Sequence, residues 1–442
     1  MRTVSKTVIG VDFGTQSARA VLVNAENGEI IYSCRKEYPY NSTPVPAIDC
    51  AENLPCATDY EMTLYELLRN VIPEEYRKTV AGICVDATSL TMVLLAEDGR
   101  ALSELDGWSE AAHARVKLWK YHRAQEKADE ALNLARNLQE PFLGRTGGSI
   151  SCEWMLPKLL EVRDEAPEIY SKIDLAMDLC EFLTFRLTGQ LVRSIGSLSY
   201  KCLWAEDLSF PERTFLNGLR AGFYEEYCHF LRGDVRKPGE CAGMLRSELT
   251  KRWGLPEQIP VATGMLDGHT SLATMGAFEP GDAALIVGTS NVCTVQDRKL
   301  QELKDVCGVA QDGMVIGSCG IDTGQSSTGN MLGWFVEHMA GWQIHREAEE
   351  RKISPHQVLA ERIQKPWENK VIAVDWWSGS RNAPCDLTLR GSMSGLEMDT
   401  KTEDIYLALL QAIACGTGTI LESLSGQEEY WQRVVLQRKI LF

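Results

Sequence analysis

Apolar and polar positions near the chain start alternate with the period of a pleated strand. Val8–Asp12 is an apolar strand ending in a carboxylate, Ala18–Val23 alternates like a half-buried strand, and Asn27-Gly28 turns the chain into a returning strand at Glu29–Cys34. Helical spacing takes over at Glu61–Val71. A second buried strand, Thr79–Asp86, again ends in Asp. A strand at Thr91–Ala96, a turn at Asp98-Gly99 and a long polar helix from Trp108 to Asn137 are expected next. Residues 140–250 read as mainly helical: Trp154–Val162 and Leu175–Leu187 carry apolar helix faces, and Gly189, Pro211 and Pro238 punctuate the stretch.

Near residue 255 the pattern restarts. Pro260–Thr263 reads as a strand and Met265–Met275 as a helix rich in small residues. Ala283–Val287 is an apolar strand followed by Gly288-Thr289-Ser290, then Val292–Val295, a turn at Gln311-Asp312-Gly313, and Met314–Cys319. Strand, Gly-Thr-Ser turn, strand thus occurs once in each half, which predicts a structural duplication with domains at 1–254 and 255–442.

Composition adds limits. A formal charge of −16 argues against nucleic-acid binding, which needs a basic face, but not against an anionic substrate held by backbone N–H groups. No window reads as apolar enough, for long enough, to span a bilayer, and in the short polar N-terminus, Met1–Thr7, no signal peptide is expected. The cysteines form no CxxC pair or Cys/His cluster, and Cys84, Cys293 and Cys415 lie in apolar runs. Reduced core thiols in a cytoplasmic protein are expected.

Three constellations carry chemistry. In Asp12-Phe13-Gly14-Thr15-Gln16-Ser17 a carboxylate at a strand end can hold Mg2+, and Gly14 permits a tight turn that aims N–H groups and hydroxyls at a phosphate. Gly288-Thr289-Ser290 is its counterpart in the second half. Both are also consistent with plain hairpin turns. Asp267, at a loop-to-helix junction, can take a proton from a substrate hydroxyl or simply cap the helix. His269 reads as a packed histidine.

The order of these elements resembles the FGGY carbohydrate kinases, which share the two-domain ATPase fold of hexokinase, actin and the heat-shock ATPases. The match extends to Gly391–Gln411, with Gly391, Met393, Gly395-Leu396, Asp404-Ile405 and Ala408 through Gln411 in the family's C-terminal pattern. Val116–Gln125, Gly147–Tyr170, Leu187–Trp204 and Asp375–Pro384 resemble ribulokinase segments in particular. The resemblance covers residues 6 to about 424. It implies an α/β fold of two ribonuclease H-like domains flanking a cleft. It also implies ATP and Mg2+ as cofactors, a small sugar such as a pentulose as substrate, and no membrane partner; a homodimer is open.

By the same resemblance Asp267 is the base. Asp12, Gly14, Thr15, Gln16 and Ser17 with Gly288, Thr289 and Ser290 handle metal and phosphates, and Ser89, Lys201, Asp267 and Asp322 line the sugar site. Trp119 and the pair Trp376-Trp377 read as packing. Asp322 departs from the Glu of ribulokinases by one methylene, which opens the choice of sugar. Glu429–Phe442 fits neither the family's adenine-covering strand nor its Gly-Gly loop, as a shifted reading frame or a natural shortening would produce. Weak turnover is therefore expected, with a non-catalytic sugar sensor as the alternative. An actin-like ATPase is disfavoured by the sugar-site segments.

Overall fold

The structure, a computed structural model, describes residues 6–38, 54–300, 302–365, 368–381, 386, 388–425 and 433–438. The chain divides into two compact units. One comprises Met1–Arg145, Ser149–Thr270 and Ala310–Cys319; the other comprises Thr146–Gly148, Ser271–Val309 and Gly320–Phe442.

The first unit holds strands β1 (Thr7–Phe13), β2 (Ser17–Asn24), β3 (Ile30–Glu37), β4 (Val80–Ala87), β5 (Met92–Leu95), β6 (Leu175–Asp178), β7 (Val192–Ser194), β8 (Asp234–Arg236), β9 (Cys241–Met244), β10 (Pro260–Ala262) and β11 (Met265–Leu266). Its main sheet runs β3-β2-β1-β4-β10-β9, with β11 also paired to β4. β1, β2 and β3 form an antiparallel meander, whereas β4 runs parallel to β1 and to β10. Strict alternation in β1 buries Thr7, Ile9, Val11 and Phe13 on one face. There they meet Leu64, Leu67 and Leu68 of helix Ala57–Asn70 and Phe182, Leu183 and Leu187 of helix Leu179–Thr188. Asp12 consequently points away from this core.

The second unit holds β12 (Asp282–Val287), β13 (Asn291–Asp297), β15 (Cys319–Gln325), β16 (Ile372–Val374), β17 (Ser392–Ser394) and β18 (Arg433–Arg438), with β14 (Gly308–Gln311) at the edge of its sheet. The sheet order is β14-β15-β13-β12-β18. Its helical side packs Met331 and Phe335 of helix Gly329–Met339 against Val358, Leu359, Tyr406 and Leu409.

Several expectations are corrected. The long helix from Trp108 is confined to Gln125–Leu138, because the main chains of Met92 and Lys117 bond to each other at 2.9 and 3.1 Å and draw the preceding residues into extended pairing. Leu175–Asp178 is a strand antiparallel to β5, and the helix begins only at Leu179. Pro260–Ala262 does not open the second unit, since its ladder partners are β4 and β9.

The chain end is corrected too. Arg433–Arg438 does form a strand, parallel to β12 from Asp282↔Arg433 to Val287↔Arg438; apolar Val434, Val435 and Leu436 give it β propensity. The rest of the tail, 429–432 and 439–442, lies outside the described residues, as do Met1–Ser5 and Asn382–Pro384. Helix Thr402–Ser425 contains a window of mean hydropathy 1.4 that meets the length and composition of a membrane span, contrary to the expectation of none. In this structure it buries Tyr406, Leu409, Ile420 and Leu424 within the second unit. Cys415 is exposed on the same helix rather than a core thiol.

Candidate active site

Two parallel neighbours deliver two carboxylates to one place. Asp12 and Asp86 are register partners near the ends of β1 and β4, on the side of the sheet opposite the core. Met265 of β11 pairs with Asp86, and Asp267 follows directly as the first residue of helix Asp267–Met275. Three strand ends therefore gather Asp12, Asp86 and Asp267.

Burial, then the charge and hydrogen bond of Asp12, then the charge of Asp267 push the Asp86 carboxyl well above the usual range, with the Thr270 hydroxyl working the other way. One buried oxygen of Asp86, Oδ1, has no hydrogen-bond partner. Asp267 Oδ1 accepts the N–H of Gly268 at 2.7 Å, within the first turn of its own helix.

The Asp12–Ser17 turn closes through Gly14 N–H to Ser17 O at 3.1 Å, and the Tyr38 hydroxyl donates to Gly14 O at 2.8 Å. Ser17 Oγ accepts from Arg35 Nε at 3.0 Å. Gln16 O receives the Tyr38 N–H at 3.5 Å. Trp119, read from sequence as packing, donates its indole N–H to Thr15 Oγ1 at 3.1 Å.

Ser89 lies in the loop that leaves β4. Its neighbour Leu90 has φ +63°, a left-handed conformation that side-chain-bearing residues rarely adopt. Lys201 ends helix Ile195–Lys201, which packs against β11; Tyr200 of that helix meets the ring of the buried His269 edge-on at 4.7 Å. The first unit thus gathers Asp12, Thr15, Ser89, Lys201 and Asp267 on adjoining strand ends, loops and helices.

The other predicted residues belong to the second unit. Gly288, Thr289 and Ser290 form the β12–β13 turn, closed by Gly288 N–H to Ser290 O at 3.1 Å. The start of the next helix holds it: Gly329 N–H donates to Gly288 O at 3.0 Å and Thr328 N–H to Thr289 O at 3.1 Å. Thr289 is itself exposed, free of the core that surrounds Asn291. Asp322 lies buried in the middle of β15.

Sequence reasoning singled out neither Asp86 nor Asp178, and it read Trp119 as packing. A usable signal existed for the first: Val85-Asp86 repeats Val11-Asp12 at the end of an equivalent apolar strand. Asp178 and Trp119 carry no such mark, because their partners are distant in sequence.

Comparisons with known proteins bear on this arrangement. The N-terminal domain model of the FGGY family of carbohydrate kinases matches residues 7–274, and its C-terminal domain model matches 283–437. A ribulokinase of Halalkalibacterium halodurans is 33% identical over 433 residues, covering 96% of this chain and 77% of that protein. A ribulokinase of Mycolicibacterium smegmatis is 36% identical over 434 residues, covering 95% and 76%. Among solved structures, a xylulose kinase of Lactobacillus acidophilus superposes with a TM-score of 0.77 at 18% identity, covering 99% of this chain and 82% of that one. A glycerol kinase of Plasmodium falciparum gives 0.73 at 16%, covering 98% and 81%. Matched by both domain models and by relatives along nearly its whole length, this chain belongs to the FGGY family of carbohydrate kinases.

Proposed function

We propose that this chain transfers the γ-phosphoryl group of ATP to the terminal hydroxyl of a pentulose, ribulose being the first sugar to test. The observation that carries this reading is Asp267, set on a strand end beside Asp12 and Asp86. Asp267 accepts the proton of the sugar hydroxyl as its oxygen attacks phosphorus, while its Oδ1 holds the Gly268 N–H. Ser89 and Lys201 hold sugar oxygens in the first unit. Asp322 accepts from sugar hydroxyls, and Thr289, Ser290 and the turn's backbone bind phosphate oxygens.

Mg2+ fits the residues present. Among the described residues no group of three or more His, Cys, Asp or Glu is arranged to enclose a metal. Mg2+ does not require one, because one or two carboxylates with waters and phosphates suffice. Asp12 and the unsatisfied Asp86 Oδ1 are hard oxygen donors of the right kind. When bound, the ion neutralises charge on the phosphate oxygens. All other steps fall to this chain's own groups: Asp267 moves the proton and the Gly288–Ser290 turn orients the phosphates.

The test is a panel of pentuloses and polyols in a coupled ADP-release assay, with Asp267→Asn alongside. Turnover in the variant falls by roughly two to four orders of magnitude while sugar affinity, read by calorimetry, stays within about threefold. Near-full turnover in Asp267→Asn removes that residue from the role. Sugar binding by the wild-type chain without any phosphorylation favours a sensor instead.

A further inference from the structure

Ser89 and Lys201 stand on separate elements, and a residue beside each is tied to one pair of buried charged side chains. Leu90, next to Ser89, is gripped from both sides of its peptide. Its N–H donates to Asp178 Oδ2 at 3.1 Å, and its carbonyl accepts from Lys158 Nζ at 2.6 Å. Lys158 is completely buried, and its other two protons go to the carbonyls of Lys117 at 3.2 Å and Leu118 at 3.0 Å. All three donors of the ammonium are thereby committed to main-chain oxygens. Asp178, also buried, accepts the Ser197 hydroxyl at 3.1 Å as well, and Ser197 lies on the helix that ends in Lys201.

A buried lysine with only carbonyl partners, and a leucine in the left-handed region, are both unfavourable in isolation. Each persists only where surrounding structure over-determines it, and such places cluster at binding sites. Here the two are one device. Lys158 ties the Ser89 loop to the segment carrying Trp119, which touches Thr15, and Asp178 ties the same loop to the helix carrying Lys201.

We propose that Lys158 and Asp178 are positioning residues for the sugar: they clamp Leu90 so that Ser89 and Lys201 are presented at fixed spacing before the sugar arrives. This rests on the kinase reading above. Hydroxyl configuration is what separates one pentulose from another, so a preset loop gives discrimination as well as affinity. The sugar's gain comes from reorganisation it does not have to drive.

The experiment uses the 442-residue chain with ribulose, or whichever pentulose the panel identifies, as probe. Lys158→Met keeps the stem's length and removes the donors. Its sugar dissociation constant, read by calorimetry without ATP, rises about tenfold or more, while KM for ATP stays within about twofold. Asp178→Ala does the same, and Asp178→Asn, which keeps an acceptor oxygen, loses no more than about threefold. Hydrogen exchange on the wild-type chain gives a readout independent of variants: the Leu90 amide exchanges slowly without sugar. Fast exchange at Leu90, unchanged sugar affinity in both truncations, or equal loss of sugar and nucleotide affinity overturns the proposal. A wild-type chain that phosphorylates no sugar strikes instead at the kinase reading and leaves the Leu90 exchange result standing.

Discussion

Asp12 and Asp86 share a register position on parallel strands, so the backbone places their carboxylates side by side and one must yield its charge. Asp267, on the next element, accepts the Gly268 N–H through Oδ1, and its charge adds to the pressure on Asp86. At this scale glycine matters where a side chain has no room. A Cβ on Gly329 would lie 2.4 Å from Gly288 O, so the helix start and the Gly-Thr-Ser turn can only meet through a glycine. Gly329→Ala therefore shifts the turn. KM for ATP rises about tenfold or more and sugar affinity is unchanged, a split that steady-state kinetics with each substrate varied in turn reads directly. Equal changes in both constants would break the link between this turn and the nucleotide.

Elements in the first unit are joined by buried polar groups whose protonation bears on stability. Burial, then the charge of Glu181, raises Asp178 from 3.8 to about 7, although Leu90, Leu179 and Ser197 donate to it. Burial lowers Lys158 from 10.5 to about 7 against the charges of Glu153 and Asp178, with Lys117 adding to the decrease. The signs follow from proton counts. Between pH 3.8 and about 7 the folded chain holds more protons at Asp178 than the unfolded chain, so stability from this group falls as pH rises. Between about 7 and 10.5 the folded chain holds fewer protons at Lys158, so stability rises with pH. The pair's joint contribution is lowest near neutrality. Urea midpoints measured across pH should show Lys158→Met flattening the alkaline limb and Asp178→Asn the acidic limb; wild-type slopes retained in both variants would refute the assignment.

Asp164 acts in the opposite sense. It binds Lys127 at 2.6 Å and Arg220 through Nε at 2.9 Å, joining helices Gln125–Leu138 and Met155–Glu165 to the chain after helix Arg213–Leu219. Arg220 above all, followed by Lys127, holds it at about 2 despite partial burial, so its contribution is present above pH 3.8 and is lost as pH falls toward 2. Its carboxylate is partly solvated, and the joint contributes on the order of 1 kcal/mol.

At the scale of the whole molecule the proposed roles divide between the units, with Asp322, assigned to the sugar, as the exception in the second. The carboxylates, Ser89 and Lys201 belong to one compact unit, and the Gly288–Ser290 turn and Asp322 to the other. A ligand that binds only the folded state stabilises what it touches, by about 2.7 kcal/mol at a hundredfold excess over its dissociation constant. Hydrogen exchange with sugar alone therefore slows amides around 267–270, the Leu90 loop being slow already, and exchange with Mg-ATP alone slows those around 288–291. The reverse pattern would exchange the two assignments.

Much of this was legible without coordinates. Apolar runs located β1, β4 and β12 and alternation located β2, because local backbone preference is written at those positions, while the roles of Asp12, Asp267 and the Gly-Thr-Ser turn were drawn from the family resemblance. Where partners were distant in sequence, tertiary structure decided the outcome. Pairing with β5 made a strand of Leu175–Asp178, pairing with β4 assigned Pro260–Ala262 to the first unit, and pairing with β12 made a strand of Arg433–Arg438, within the stretch that the C-terminal domain model matches. The same holds for the grip of Lys158 and Asp178 on Leu90, which spans separations of 68 and 88 residues. Hydrophobic period is a property of neighbours along the chain, whereas a ladder or a buried ammonium's acceptors exist only once the chain has folded back on itself.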